Sequence, residues 1–187
     1  MARVKIVQNS RKDHQCGAGH VIPKGEAYYT ASPGFRARPR YRCMAHPFRP
    51  SMLTTSARSE PLSAVEAFED QVNAGFDSIE DLQSAWDDLG SALEEYVQMR
   101  DEGLEAWENG NSQLEELRDQ AQDAYDTWEQ HDIEEFDEDE PQREDFKDSP
   151  KGQDKYDDAY AQWEEARQEF IAEQATEALD VAGSLDF

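Results

Sequence analysis

The chain of 187 residues has only two cysteines, Cys16 and Cys43. Two cysteines permit at most one disulfide, so a disulfide framework is excluded as the source of the fold. Long apolar runs are missing as well: no stretch approaches the ~20 residues that a membrane-spanning helix needs. The opening MARVKIVQNS is too short and too polar for a secretory signal, so a soluble, intracellular setting is expected, with no membrane partner. There is no Walker A loop, no dinucleotide-binding glycine fingerprint and no serine-nucleophile elbow. Without these, and with carboxylates on polar helix faces rather than in an evident pocket, an enzyme is not expected.

Basic residues are also scarce. The 18 Lys and Arg stand against 43 Asp and Glu, for a formal net charge of -25. That deficit is not uniform. Residues 1–59 carry eleven of the basic residues against Asp13 and Glu26, about +9, which leaves about -34 for residues 60–187. A split this large marks a domain boundary. The expected division is a basic head over 1–58, acidic amphipathic helices over 59–131, an acidic linker over 132–153 and a C-terminal amphipathic helix over 154–181.

The head holds the sharpest site signal. Cys16-x3-His20 is followed by Cys43-x2-His46, which together supply two thiolates and two imidazoles, the donor set of a four-coordinate structural zinc. Each pair spans a short turn, so its two donors can share one ion. His14 competes as a ligand through His14-x-Cys16. Between the pairs, VIPKGEAYYTAS has a Pro-Lys-Gly turn followed by a strand-like arm, and RVKIVQ over residues 3–8 reads as a further short strand. The fold class expected for the head is therefore a small zinc-bound, β-rich treble-clef or ribbon-like module. With so few apolar residues, zinc would supply much of its folding free energy.

These residues carry a resemblance. Cys16-Gly17, then Ile22-Pro23-Lys24-Gly25-Glu26-Ala27-Tyr28-Tyr29, then Arg42-Cys43 and a second ligand, then Pro50-Ser51-x-Leu53-Thr54-Thr55-Ser56, resemble a group of phage and virus proteins. The N-terminal module of that group is similar to the zinc finger of poly(ADP-ribose) polymerases. The resemblance covers residues 3–58 only. That finger type uses three cysteines and one histidine and begins with Cys-x2-Cys, whereas this chain has Cys16-x3-His20 and ends on His46. What the resemblance implies is zinc, contact with nucleic acid, and for a viral protein a place in the host cytoplasm. The basic residues support nucleic-acid contact on their own. Arg36, Arg38, Arg40 and Arg42 alternate, and an extended strand would put them on one face as a phosphate-binding stripe. Tyr41, with Phe35, Tyr28 and Tyr29, would add stacking surfaces. The same face equally suits docking on acidic protein.

Beyond residue 60 the period changes. Val65, Val72, Ile79, Trp86, Leu93, Arg100, Trp107, Leu114, Ala121 and Trp128 recur every seven residues. A second register holds Phe68, Leu82, Leu89, Tyr96, Leu117, Ala124 and His131. This is a heptad-like seam along which helices pack as a coiled-coil hairpin or a small bundle. The turn signal Asn109-Gly110-Asn111 favours a break between helices over 62–108 and 112–131; the rival is one continuous rod through Gly110, which the unbroken sevenfold register favours. Ser63 with Glu66, and Ser112 with Glu115, have capping-box spacing. DIEEFDEDEPQREDFKDSP reads as a mobile acidic linker. On the last helix Tyr156, Ala159, Tyr160, Trp163, Ala166, Phe170 and Ile171 form the expected apolar face, followed by a loose VAGSLDF tail.

Together these features point to a non-enzymatic, viral-type accessory or adaptor protein. Its zinc-stabilised head and acidic helices would bind a macromolecular partner or mediate self-association. Three other readings use the same residues: an acidic mimic of nucleic acid that blocks a host nucleic-acid-binding protein, a nucleic-acid-binding zinc finger, and a structural component of a viral particle.

Overall fold

The computed structural model describes residues 2–32, 38–107 and 110–187. The chain forms two compact units, one running to Glu66 and including Phe187, the other spanning Ala67–Asp186.

Among the described residues the first unit has five short strands: β1 (Lys5–Val7), β2 (His14–Gln15), β3 (Val21–Ile22), β4 (Tyr28–Ala31) and β5 (Arg40–Cys43). They make two antiparallel sheets, β1-β4-β5 and β2-β3. Lys5 lies opposite Thr30, Tyr28 opposite Cys43, and His14 opposite Ile22. The turn at Pro23-Lys24-Gly25 forms as expected, with Glu26 N–H donating to Pro23 O at 3.2 Å and Gly25 at φ +98. It does not join two arms of one hairpin, however. It carries the chain from the two-stranded sheet to the three-stranded one, because β3 pairs with β2 and β4 with β1 and β5. The core cluster among the described residues is small: Cys16, Ile22 and Tyr28, flanked by Val7, Tyr41 and Cys43, with Ala31 also buried. A core this small supports little stability unaided.

A 3-10 turn follows at Pro50–Leu53, and then α1 (Ser59–Ala74). Glu66 on α1 does not close a capping box on Ser63. Its buried carboxylate instead accepts Ser51 N–H at 2.8 Å and the Ser51 hydroxyl at 2.6 Å, and its carbonyl accepts from Arg49 Nη1 at 3.0 Å. A tertiary pair satisfying two donors of the 3-10 turn outcompetes the local cap.

The second unit is helical: the rest of α1, then α2 (Ile79–Glu105), α3 (Ser112–Glu129) and α4 (Pro150–Ser184). The expected single helix over 62–108 is two helices. Gly75 takes φ +84 and ends α1, and Ser78 caps α2 by accepting from Asp81 N–H at 3.1 Å. The break near Gly110 forms as its turn chemistry predicts, with Gly110 at φ +69. The cap of α3 is Asn111, not Ser112: its Oδ1 accepts from Gln113 N–H at 3.0 Å and Leu114 N–H at 3.4 Å.

α2 and α3 pack as a hairpin along the seam. Leu82, Trp86, Leu89, Leu93 and Tyr96 are buried from one side, and Ala121 and Ala124 from the other. Two reciprocal bonds fix its open end: Trp128 Nε1 donates to Trp86 O at 3.0 Å, and Trp86 Nε1 donates to His131 O at 3.2 Å. Trp107, on the same register, stands past the end of α2 and is 57% exposed.

Residues 132–149 are not a free linker. Phe136 stacks near Phe170 (5.5 Å) and Trp163 (6.1 Å), Phe146 meets Tyr156 edge-on, Glu134 N–H donates to Gln174 Oε1, and Trp163 Nε1 donates to Glu138 O. Two aromatic anchors among the carboxylates, Phe136 and Phe146, hold the segment to α4. Helix α4 begins four residues before the expected start, at Pro150 behind the Ser149 cap, and runs to Ser184, through most of the tail expected to be loose. Its buried residues are Gly152, the expected Ile171, and then Gln174, Ala175, Ala178 and Ala182 beyond the expected face, while the aromatic positions Tyr156 and Trp163 are half-buried and Tyr160 is exposed. No helix among the described residues is long and apolar enough to cross a membrane.

Candidate metal centre

Two tight turns build the centre. The first follows β2. Cys16 N–H donates to His20 O at 2.8 Å, Gly19 N–H returns to Cys16 O at 2.9 Å, and Gly19 sits at φ +92, a conformation that glycine adopts at no steric cost. This loop brings His20 back beside Cys16. The second follows β5, where His46 N–H donates to Cys43 O at 3.1 Å. Gly17 N–H donates to Tyr41 O at 2.9 Å and Cys43 N–H to Cys16 Sγ at 3.4 Å, which ties the second turn to the first.

The result joins all four predicted ligands. One donor atom from each of Cys16, His20, Cys43 and His46 lies within 4.8 Å of every other. Cys43 Sγ is 3.2 Å from His46 Nδ1, and the two imidazole centroids are 5.1 Å apart. Around a tetrahedral zinc the donors stand roughly 3.3–3.8 Å apart, so the set fits after a contraction of about 1 Å. Cys16 is buried at 1% exposure and the two histidines are exposed, so the site sits at the surface with one ligand rooted in the core. Both thiols are free of disulfide.

The surroundings favour a thiolate. Burial pushes the Cys16 thiol up. Against it act N–H donors from Ala18 (3.5 Å) and Cys43 (3.4 Å), a hydrogen bond with the Cys43 side chain and the Arg42 guanidinium charge, which together hold it below its ordinary value. Such N–H···S contacts are the outer-shell support expected around a ligating sulfur. His14 is not part of the cluster. Its ring packs 4.2 Å from Tyr41 and 4.8 Å from Tyr28, as a core aromatic.

The basic residues divide differently. Arg36, with Phe35, lies outside the described residues. Arg38 is exposed before β5, and Arg40 and Arg42 share one face of that strand. Arg42 lies across Gly17 and donates from Nη2 to Met52 Sδ at 2.9 Å, while Arg40 Nη1 reaches Met52 O at 3.5 Å. Tyr41 alternates to the other face and packs 5.7 Å from Tyr28. Its ring fills the core side of the sheet. In the sequence Gly17 stood out only as part of the Cys16-Gly17 motif and Met52 not at all, yet both lie against Arg42. The signal for Gly17 was its place directly after a ligand, where a side chain would meet the guanidinium.

The first unit is thus a small β module with a two-cysteine, two-histidine cluster able to chelate a metal ion, of generic zinc-finger-like character, and it precedes a mainly helical body. No protein-family model matches the chain, and no curated protein or solved structure is significantly similar to it.

Proposed function

We propose that the chain is a non-enzymatic accessory or adaptor protein of the viral type. Zinc held by Cys16, His20, Cys43 and His46 would stabilise a basic head, and the acidic helices would provide a second binding surface. One observation carries this reading: two thiols and two imidazoles from separate turns converge within 4.8 Å. Four protein ligands complete a tetrahedral zinc shell and leave no position for an activated water, which argues for a structural metal rather than a catalytic one. Bound there, the metal would neutralise the thiolates and cross-link the two turns. Native mass spectrometry tests this directly. One zinc per chain, lost with a chelator, is the expected result. Protein purified without chelator that carries no metal would overturn it.

A second reading, nucleic-acid contact by the head, is favoured by a separate feature. A pocket of about 360 Å³ is lined by residues that include Gln15, Cys16, Arg40, Arg42, Phe48 and Met52, so two arginines and an aromatic residue border one recess. That combination suits a phosphate next to a base. For single-stranded DNA, Arg40→Ala should weaken binding at every sequence and lower the log–log salt slope by about 0.7. An unchanged slope, measured by fluorescence anisotropy, would place any contact elsewhere.

A further inference from the structure

The helical unit contains a groove that neither the metal cluster nor the basic strand uses. Its volume is about 610 Å³, and α2, residues 133–138 and α4 form its walls. Ile79, Ile133, Phe136, Trp163 and Ile171 supply the apolar lining, and Glu80, Asp87, Glu134, Glu135 and Glu138 supply carboxylates. The walls are fixed: the Trp163 indole is bonded to Glu138 O, and Phe136 is lodged against Trp163 and Phe170. Such a recess needs no reorganisation to accept apolar side chains.

Charge decides what can occupy it. Among the described lining residues Arg167 is the one cation, and it is already engaged: it stands 3.6 Å from Glu164, lies over the Trp163 ring, and donates to Asp77 O. None of the five carboxylates has an ion-pair partner among the described residues. An anionic or purely apolar ligand would leave these charges uncompensated beside a drying surface. A segment with apolar residues on one face and Lys or Arg flanking them would satisfy both the lining and the rim.

We propose that this groove docks a basic amphipathic helix of a partner protein. Its apolar side chains sit on Ile79, Ile133 and Phe136, and its cations face Glu134, Glu135 and Glu138. The inference rests on the reading of the helices as a binding surface, and it adds the place and the chemistry of the partner.

The isoleucines provide the test. The chain has five, of which Ile79, Ile133 and Ile171 line the groove while Ile6 and Ile22 belong to the first unit. Full-length protein with labelled isoleucine methyls is titrated with a short synthetic leucine–lysine amphipathic helix. The three groove methyls are expected to shift, with Ile6 and Ile22 unmoved. Affinity should fall about tenfold in the triple variant Glu134→Gln, Glu135→Gln, Glu138→Gln. It should hold in Glu115→Gln, Glu116→Gln on α3. Three outcomes overturn the proposal: equal shifts with a scrambled peptide of the same charge, equal weakening by both sets of variants, or groove shifts that follow protein concentration alone, which would assign the groove to a second copy of the chain. A chelator arm separates this from the metal reading. Loss of the head is reported by Ile6 and Ile22, whereas the groove response persists.

Discussion

Cys16→Ser is expected to abolish metal retention and unfold the first unit while leaving the helices folded. Cys16 is the ligand with most to lose. It is buried in a small core cluster with Ile22 and Tyr28, and its sulfur accepts two backbone N–H donors as well as serving the cluster. Structural zinc contributes about 10–16 kcal/mol of apparent binding free energy in small fingers, more than a core of this size could replace. A serine oxygen is a far poorer zinc ligand than a thiolate and is too short to reach the same point. The expected readout is loss of zinc by mass spectrometry together with collapse of amide dispersion for residues 2–58, with helical circular dichroism nearly unchanged. His46→Ala should behave in the same direction but more mildly, because an exposed ligand can be replaced by water. If Cys16→Ser keeps a dispersed head spectrum, the β module stands without metal and the zinc assignment fails.

The features legible in the sequence are the local ones. Cys16-x3-His20 and Cys43-x2-His46 were readable because each pair closes within one turn, leaving the fold only to bring two turns together. The break at Gly110 was readable because glycine at positive φ and an Asn cap act over a few residues, and they prevailed over a sevenfold register that ran straight through them. A register constrains which face is buried and is satisfied equally by a hairpin, so it cannot forbid a turn. The break at Gly75 was missed for the same reason: its signal, a glycine followed by Ser78, lay inside a strong apolar pattern.

What was not legible depends on pairings distant in sequence. Glu66 matched a local capping box, yet its partner is Ser51, fifteen residues away. Tyr41 fitted a stacking surface because its neighbours are arginines, but strand alternation turns it to the opposite face from Arg40 and Arg42. In residues 132–149 the charge density concealed Ile133, Phe136 and Phe146. Their significance appears only once the aromatic half of α4 is placed beside them. That segment also completes the groove, so the feature that reads most readily as a linker forms part of a wall.

Gly90→Ala is expected to destabilise the helical unit, against the helix preference of the substituted residue. Within a helix, alanine is favoured over glycine by about 1 kcal/mol. Gly103 shows that gain without opposition. It lies in α2 with nothing within 4 Å of where a Cβ would stand, so Gly103→Ala should raise stability by roughly 0.5 kcal/mol, reduced by its nearness to the helix end. At Gly90 the Trp128 ring crosses the helix. An added Cβ would overlap Cζ2, Cη2 and Cε2 of that ring. The ring cannot swing aside freely, because its Nε1 is bonded to Trp86 O and Tyr125 packs beside it at 5.4 Å. Moving it breaks that bond and opens the end of the hairpin. Overpacking of this kind costs about 1–3 kcal/mol and the lost bond about 1 kcal/mol, which outweighs the helix gain. Urea unfolding followed by helical circular dichroism should therefore show a net loss of about 2 kcal/mol for Gly90→Ala, with the slope unchanged. In a Trp128→Leu background the penalty should disappear, because the ring that meets the methyl is gone. A Gly90→Ala protein as stable as Gly103→Ala would mean that Trp128 does not cross α2 there, and that the two helices meet in a different register.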